Sequence, residues 1–217
     1  MTAAAQDLGL VAGQWAGSEV WVVGTGPSHA VVNLADLNAR CERGEVRVIA
    51  VNHAVHELPD ADIVFSKDSG FWTLQQADHP ACCMGLVKRG RNLCVHSAHS
   101  THMDDYRAWL PGVLVLREWP RKAVGKCGPW PTEINDEHEG GLVTCGNSGV
   151  GALCLADLLA GGDARSTVNI AGLDMDRPPY TMWAGWFVAN GYPDAVRTRV
   201  VVHGATSLDP DGRWRRA

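Results

Sequence analysis

Residues 143–174 read VTCGNSGVGALCLADLLAGGDARSTVNIAGLD, and this stretch decides the fold. A polar turn over residues 146–149 opens an apolar helix, which ends at Gly161–Gly162. An apolar run over residues 168–173 follows and precedes Asp174. Together, the turn, the helix, the strand and Asp174 form one α/β unit. The N-terminus of its helix has free backbone N–H groups and the positive end of the helix dipole, which would suit a phosphate.

A second glycine turn follows the first predicted strand, where Val20–Val23 precede the sequence GTGPS at residues 24–28. The turn is not a Walker loop, because no Gly-Lys-Ser/Thr follows, and His29 stands where the dinucleotide fingerprint would have its third glycine. Its glycines allow a sharp turn and close approach to a ligand, whereas the alternative is an ordinary strand-to-helix turn capped by Ser28. Together, the two glycine turns indicate a nucleotide.

Length and composition exclude several classes of protein. The chain has 217 residues, of which 46% are apolar, and its formal charge of −5 argues against broad attraction to nucleic acid. No apolar run approaches the roughly 20 residues that span a bilayer. The N-terminus lacks the basic stretch of a secretory signal, and the seven cysteines form no CxxC pair. We therefore expect reduced thiols and a cytoplasmic protein without a transmembrane segment.

Strand-like and helix-like segments alternate along the chain, and residues 119–141, rich in proline, glycine and charge, are predicted to form a long lid or substrate loop. This alternation predicts a single α/β domain over residues 1–217. Its expected fold is a doubly wound, mainly parallel, Rossmann-like sheet with helices on both faces. Strands are predicted over 19–24, 46–51, 62–66, 92–96, 113–117, 167–173 and 198–202, and helices over 29–42, 70–77, 103–109 and 148–160.

Polar residues follow most of the predicted strands. Because ligands of open α/β sheets bind outside the carboxyl ends of the strands, these residues are expected to converge on one rim. Asn52 is suited to a base or ribose, or to an Asx turn, and Lys67-Asp68 to phosphate, a metal ion or a surface pair. The groups are Thr25/Ser28, Asn52/His53, Ser66/Lys67/Asp68, Ser97/His99 and Asp174, with Asn147/Ser148 at a helix start.

Four histidines are candidates for metal binding or proton transfer. His96, His99 and His102 are spaced three apart, which hints at metal, but they lie at a strand end and three histidines alone do not define ligand geometry; no metal site is predicted. His203 ends the strand-like run VVVH and precedes Gly204. It is therefore either a general base on the ligand rim or a hydrogen-bonded structural histidine.

The GTGPS turn, Asn52 and the motif SGV…IAGLDM together resemble the small Rossmann-like class of bacterial sialyltransferases. That family has a Gly-x-Gly-Pro-Ser turn after strand one and an asparagine after strand two. Its Ser-Gly-Val helix start is followed by a strand that ends Gly-Ile-Asp. The resemblance covers about residues 19–68 and 143–176. The 6-hydroxymethylpterin diphosphokinase-like proteins share the Gly-Pro-Ser turn and a comparable helix–strand unit.

The resemblance implies a cytidine nucleotide-sugar site, with His203 as the candidate for the family's C-terminal general base. The family also contacts phosphate with two tyrosines after its Gly-Ile-Asp motif, whereas this chain has Met175-Asp176 there and only Tyr180 nearby. Residues implied by the resemblance to line the site are Gly24, Gly26, Ser28, Asn52, Ser148, Gly149 and Asp174. We add Thr25 and Asn147 as nucleotide-binding candidates, and Lys67, Asp68 and Tyr180 as candidates linked to phosphate or metal.

Three functions follow from these features. The first is a glycosyltransferase-like enzyme that passes a sugar from a nucleotide sugar to a hydroxyl acceptor, with no firmly implied cofactor. The second is pyrophosphoryl transfer from ATP with Mg²⁺ held by Asp68 or Asp174. The third is nucleotide binding without catalysis. The sequence leaves open the base, the sugar, the acceptor and whether the chain forms a homo-oligomer.

Overall fold

The structure is a computed structural model of the whole chain. Most of the predicted loop over 119–141, and part of the helix predicted over 70–77, lie outside the described residues. The residues described here are 10–73, 92–110, 112–118, 130–134, 141–144, 146–178, 180–190 and 198–217.

Within these residues, eight strands form one sheet in the spatial order β5-β4-β3-β2-β1-β6-β7-β8, and every neighbouring pair is parallel. The predicted α/β class with a parallel, Rossmann-like sheet is thereby confirmed. The strands are β1 (Glu19–Val23), β2 (Arg47–Val51), β3 (Ile63–Ser66), β4 (Leu93–His99), β5 (Leu114–Glu118), β6 (Thr167–Ala171), β7 (Val200–His203) and β8 (Arg215–Arg216).

The chain builds the sheet outwards from β1 to β5 and then returns to the other side of β1 with β6. The direction of strand addition therefore reverses between β1 and β6, which is the switch point of a doubly wound fold. Two further backbone hydrogen bonds continue this pairing past the strand ends. Gly24 N donates to Ala171 O and Gly26 N to Gly172 O, each at 2.9 Å.

Helices cover both faces of the sheet. On one face, all 13 residues of α4 are buried, and the helix packs with Val20, Val22 and other strand residues in a large apolar core. On the other face, Trp21 and Val23 pack with Leu37 of α1. The described helices are α1 (Leu34–Glu42), α2 (Ser69–Thr73), α3 (Met103–Trp109), α4 (Ser148–Ala160) and α5 (Tyr180–Asn190), with short 3₁₀ segments at Pro27–Val31, Asn52–His56 and Ser100–His102.

The helices differ from the prediction in two main places. The helix predicted over 29–42 is split, because Pro27–Val31 form a 3₁₀ segment and α1 begins after Asn33, whose side chain accepts a hydrogen bond from Asp36 N at 3.2 Å. Residues 180–190, for which no element is predicted, form the helix α5. No helix in the described part of the chain is long and apolar enough to cross a membrane.

The close approach of the two loops at the switch point leads to a stability prediction. Gly172 has φ +68°, and a Cβ there would overlap the Gly24 carbonyl. Gly17 has a similar φ of +77°, but its Cβ would meet no described atom within 4 Å. Both alanine variants are strained by a positive φ, so we expect Gly172→Ala to lose about 1–3 kcal/mol more than Gly17→Ala from overpacking. Urea unfolding measures the difference, and equal losses would contradict the prediction.

Candidate functional site

A cavity of about 470 Å³ lies at the switch point. It is lined by the residues at the ends of β1, β2, β3 and β6 and by the N-terminus of α4. Five of the six polar groups expected at one rim contribute to the lining, whereas the group after β4, Ser97/His99, does not. Ser28, His53 and Ser66 are also not among the lining residues. Among the residues selected from the sequence, those lining the cavity are Gly24, Thr25, Gly26, Asn52, Lys67, Asp68, Asn147, Ser148, Gly149, Asp174 and Tyr180.

Ser28 is not among the residues that line the cavity, but it forms hydrogen bonds to two residues that are, Gly172 and Asp174. Its backbone N–H donates to both carboxylate oxygens of Asp174, at 3.2 and 3.1 Å, and its Oγ accepts from Gly172 N at 3.0 Å. Ser28 therefore joins the turn after β1 to the loop after β6. Asp174 lines the cavity, but both of its oxygens already accept this N–H.

The glycines of the GTGPS turn serve the packing of the two loops. A Cβ on Gly24 would lie 2.5 Å from Gly172 O, and a Cβ on Gly26 would overlap the Asp174 carboxylate. The Gly24 N–H donates to Ala171 O at the end of β6, and the Gly26 N–H donates to Gly172 O in the loop that follows. These glycines are needed for close approach, as predicted, but the approaching group is the neighbouring loop of the same chain.

The N-terminus of α4 also differs from the prediction that its N–H groups are free. The side-chain Oδ1 of Asn147 accepts from Gly149 N at 2.7 Å and from Val150 N at 3.3 Å. Asn147 is therefore the N-cap of the helix. Ser148 Oγ accepts from Lys67 N at 3.0 Å and so links the start of α4 to the end of β3.

Lys67 lines the cavity, but its charge is already compensated. Its Nζ donates to the Oε2 of Glu118, a carboxylate at the end of β5 whose residue is only 4% exposed. The sequence does not indicate Glu118 as a site residue, because nothing in the local pattern links it to Lys67, which is 51 positions away. Asp68 accepts from Gly70 N at 2.8 Å through its Oδ1 and is exposed.

Two non-glycine residues that line the cavity have a left-handed backbone. Asn52 has φ +53° and Met175 has φ +52°. Such a conformation is uncommon outside glycine, although asparagine tolerates it better than most residues. The Oδ1 of Asn52 is buried, and no described residue donates a hydrogen bond to it. A strained backbone and an unpaired buried acceptor therefore coincide at one position in the cavity.

His203 is not among the residues that line this cavity. Val202 faces the core around α4, so the next residue in the strand points to the opposite face of the sheet. There, the His203 Nε2 lies 2.9 Å from Asn169 Oδ1, and its ring centroid is 4.4 Å from that of Trp21. Burial lowers the pKa of His203, with an opposing effect from Glu19. The expected position of this imidazole on the ligand rim is wrong.

The side chains of the three evenly spaced histidines lie in different surroundings. His96 is buried, with its Nδ1 2.9 Å from Ser66 O, and burial lowers its pKa to about 4. His99 contacts Thr101 Oγ1 at 2.9 Å, whereas His102 lies 3.8 Å from Asp105. In the part of the chain covered by the description, no group of three or more histidine, cysteine or acidic residues could hold a metal ion.

The loop between β6 and α5 adds two charged residues that the sequence analysis did not select, Asp176 and Arg177. Both are exposed, and no described residue forms an ion pair with Arg177. They lie two and three residues after Asp174, in the loop between a strand end and a helix, and this position is the signal that the sequence offers.

The fold and the cavity define an α/β protein of the Rossmann-like class with a cavity at its switch point. No known protein-family model matches the chain, and no curated protein sequence is significantly similar to it. The resemblance to the bacterial sialyltransferases therefore stays a prediction based on the motifs quoted above.

Proposed function

We propose that this chain binds a nucleotide sugar in the switch-point cavity and transfers the sugar to a hydroxyl acceptor. The position of the cavity supports this proposal, since ligands of open α/β sheets bind at such switch points. Its volume of about 470 Å³ is typical of small-molecule sites. The motifs GTGPS and SGV…IAGLDM, which contribute residues to the cavity, are those that resemble motifs of the sialyltransferases.

Asn52 provides the observation on which the proposal depends. A buried carbonyl without a hydrogen-bond donor costs on the order of 1–3 kcal/mol, so proteins rarely retain one without a reason. The N–H of a base or the O–H of a ribose would supply the missing donor once the Asn52 amide turns towards the cavity, since Oδ1 is shielded from solvent in the unliganded structure. The left-handed backbone of the same residue is the kind of local strain that clusters at ligand sites.

The transfer step needs a group that accepts the proton of the acceptor hydroxyl. The bond between the sugar carbon and the phosphate oxygen breaks, a bond from that carbon to the acceptor oxygen forms, and the nucleotide leaves with the electron pair. Among the carboxylates that line the cavity, Asp174 and Asp68 accept backbone N–H groups, whereas no described residue hydrogen-bonds to Asp176. We assign the proton to the Asp176 carboxylate.

Pyrophosphoryl transfer has less support. Asp68 and Asp174, the residues proposed to hold Mg²⁺ in that reaction, both accept hydrogen bonds from the backbone. An absolute requirement for Mg²⁺ during turnover would nevertheless favour this reaction over sugar transfer.

Nucleotide binding is tested by thermal-shift screening with CMP, UDP, GDP, ATP and their sugar conjugates, followed by calorimetry on the best ligand. A true ligand at 100 times its Kd stabilises the folded protein by about 2.7 kcal/mol. We expect Asn52→Gly to lower affinity about tenfold, because it removes the acceptor at Oδ1 but retains a residue that tolerates positive φ. The unliganded variant should be no less stable than the parent, since an unpaired buried carbonyl is lost.

Asn33→Gly is the matched control, because Asn33 caps α1 and is not among the residues lining the cavity. It should lose a few tenths of a kcal/mol of stability and keep the parent's affinity. If no nucleotide in the panel stabilises the parent, the proposed function is wrong. If a nucleotide binds Asn52→Gly as tightly as the parent, Asn52 does not contact it.

A further inference from the structure

We propose that Arg177 binds the phosphate of the ligand, so that the anion site lies at the start of the loop into α5. The N-terminus of α4, which the sequence indicates would suit a phosphate, would then have another role, as would the glycine turn. This inference rests on the proposed function, and it adds a binding residue and an orientation for the ligand.

Most backbone donors expected to hold a phosphate are already in use. The N–H groups of Gly24, Gly26 and Ser28 donate to the last residue of β6 and to the loop that follows it. The N–H groups of Gly149 and Val150 donate to the side chain of Asn147. A phosphate could recruit these donors only by breaking hydrogen bonds that hold the cavity together.

Lys67 is a poor alternative for the same reason. Its ammonium pairs with Glu118, whose side chain is 5% exposed. A phosphate that took Lys67 from this pair would leave the Glu118 carboxylate buried without its counterion. Separation of a buried ion pair is costly, because the remaining charge has neither a partner nor water.

Within the described residues, the Arg177 side chain is not held by an ion pair of the kind that holds Lys67. It lines the cavity, is exposed, and forms no ion pair with any residue in the described part of the chain. A guanidinium offers five N–H donors in a planar arrangement that matches phosphate oxygens, and it remains charged at any physiological pH. Arg177 is therefore the cation in the described cavity lining whose charge a phosphate can take up without breaking an existing pair.

The positions of Arg177 and Asn52 also give the ligand a direction. Asn52 follows β2, whereas Arg177 follows β6, and β1 with its glycine turn lies between these two strands. A nucleotide that satisfies Asn52 with its base or ribose and Arg177 with its phosphate would cross the switch point from β2 towards α5. Tyr180, also in the cavity lining, is at the phosphate end of this path.

The experiment compares the parent with Arg177→Gln, Arg177→Lys and the control Arg165→Gln. Arg165 is exposed and pairs with Asp163 at 2.7 Å, and it is not among the residues that line the cavity. Calorimetry measures two probes: the tightest nucleotide from the screening panel and its nucleoside, which lacks phosphate. We expect Arg177→Gln to lower nucleotide affinity about 10- to 100-fold and Arg177→Lys to lower it less.

Nucleoside affinity should stay within about twofold of the parent in every variant, and Arg165→Gln should match the parent with both probes. Arg177→Gln should also reduce the salt dependence of nucleotide binding, because one charge–charge contact is lost. Unchanged nucleotide affinity in Arg177→Gln would overturn the inference but leave the proposed function standing. Equal losses for nucleotide and nucleoside would also overturn it, since Arg177 would then act on the shape of the cavity. A parent that binds no nucleotide would overturn both.

Discussion

Asp157→Ala is expected to lower the free energy of unfolding by about 3–5 kcal/mol, the usual cost of leaving one partner of a buried ion pair alone. Asp157 lies within α4, all of whose residues are buried. Its Oδ1 accepts from Arg199 Nη2, and its Oδ2 accepts from Trp130 Nε1 at 2.9 Å. The carboxylate thus joins the central helix to the residue before β7 and to the segment around Trp130. Urea or thermal unfolding of the folded variant measures the loss.

Asp211→Ala is the control for this change, because Asp211 pairs with Arg213 in an exposed position at 3.4 Å. Such surface pairs contribute little, so the control should unfold almost as the parent does. The double variant Asp157→Leu/Arg199→Met removes both charges and should recover much of the loss. A single variant as stable as the control would mean that this ion pair does not stabilise the fold.

Asp176→Asn is expected to reduce the turnover of sugar transfer by about 10²–10⁴-fold, the usual contribution of a general base. Asparagine has nearly the same shape but cannot accept the proton, so nucleotide affinity should change little. Steady-state kinetics with the nucleotide sugar found by screening separates these effects, since kcat should fall while nucleotide Kd is retained.

His203→Gln is the informative comparison for Asp176→Asn. A glutamine can keep a hydrogen bond to Asn169, and the position lies outside the cavity lining. We therefore expect this variant to turn over at nearly the parental rate. A large loss in His203→Gln with little effect in Asp176→Asn would restore the base suggested by the sequence and remove Asp176 from the mechanism.

The success and failure of sequence reasoning at this site have physical causes. Alternating strands and helices predicted the parallel sheet, and parallel strands bring their carboxyl ends to one edge, so Asn52, Lys67 and Asp174 meet in the cavity. The predicted position of the His203 side chain is wrong because side chains alternate along a strand, so a shift of one residue along the strand selects the opposite face of the sheet. The end of a strand can be read from a sequence more easily than the direction of its last side chain.

The hydrogen-bond partners of the site residues were also difficult to predict from the sequence. Asn147 stands directly before α4, where asparagine is a preferred N-cap, so the sequence alone offers this alternative to a nucleotide contact. The sequence does not, however, pair Lys67 with Glu118, because the two residues meet only when β3, β4 and β5 lie side by side. Asp176 and Arg177, by contrast, are visible in the sequence as charged residues shortly after a predicted strand.

The reversal of strand order at β1 has a consequence for the folding of a newly made chain. Asn169 in β6 donates through Nδ2 to Val20 O in β1, although the two residues are 149 positions apart. During synthesis, β1 can pair with β2 on one side, but its other edge stays open until β6 leaves the ribosome. Contacts of such long separation form slowly, and an open central strand is exposed to wrong partners in the meantime. The ligand cavity, bounded by Asp174 and Arg177, is consequently among the last features that the chain can complete.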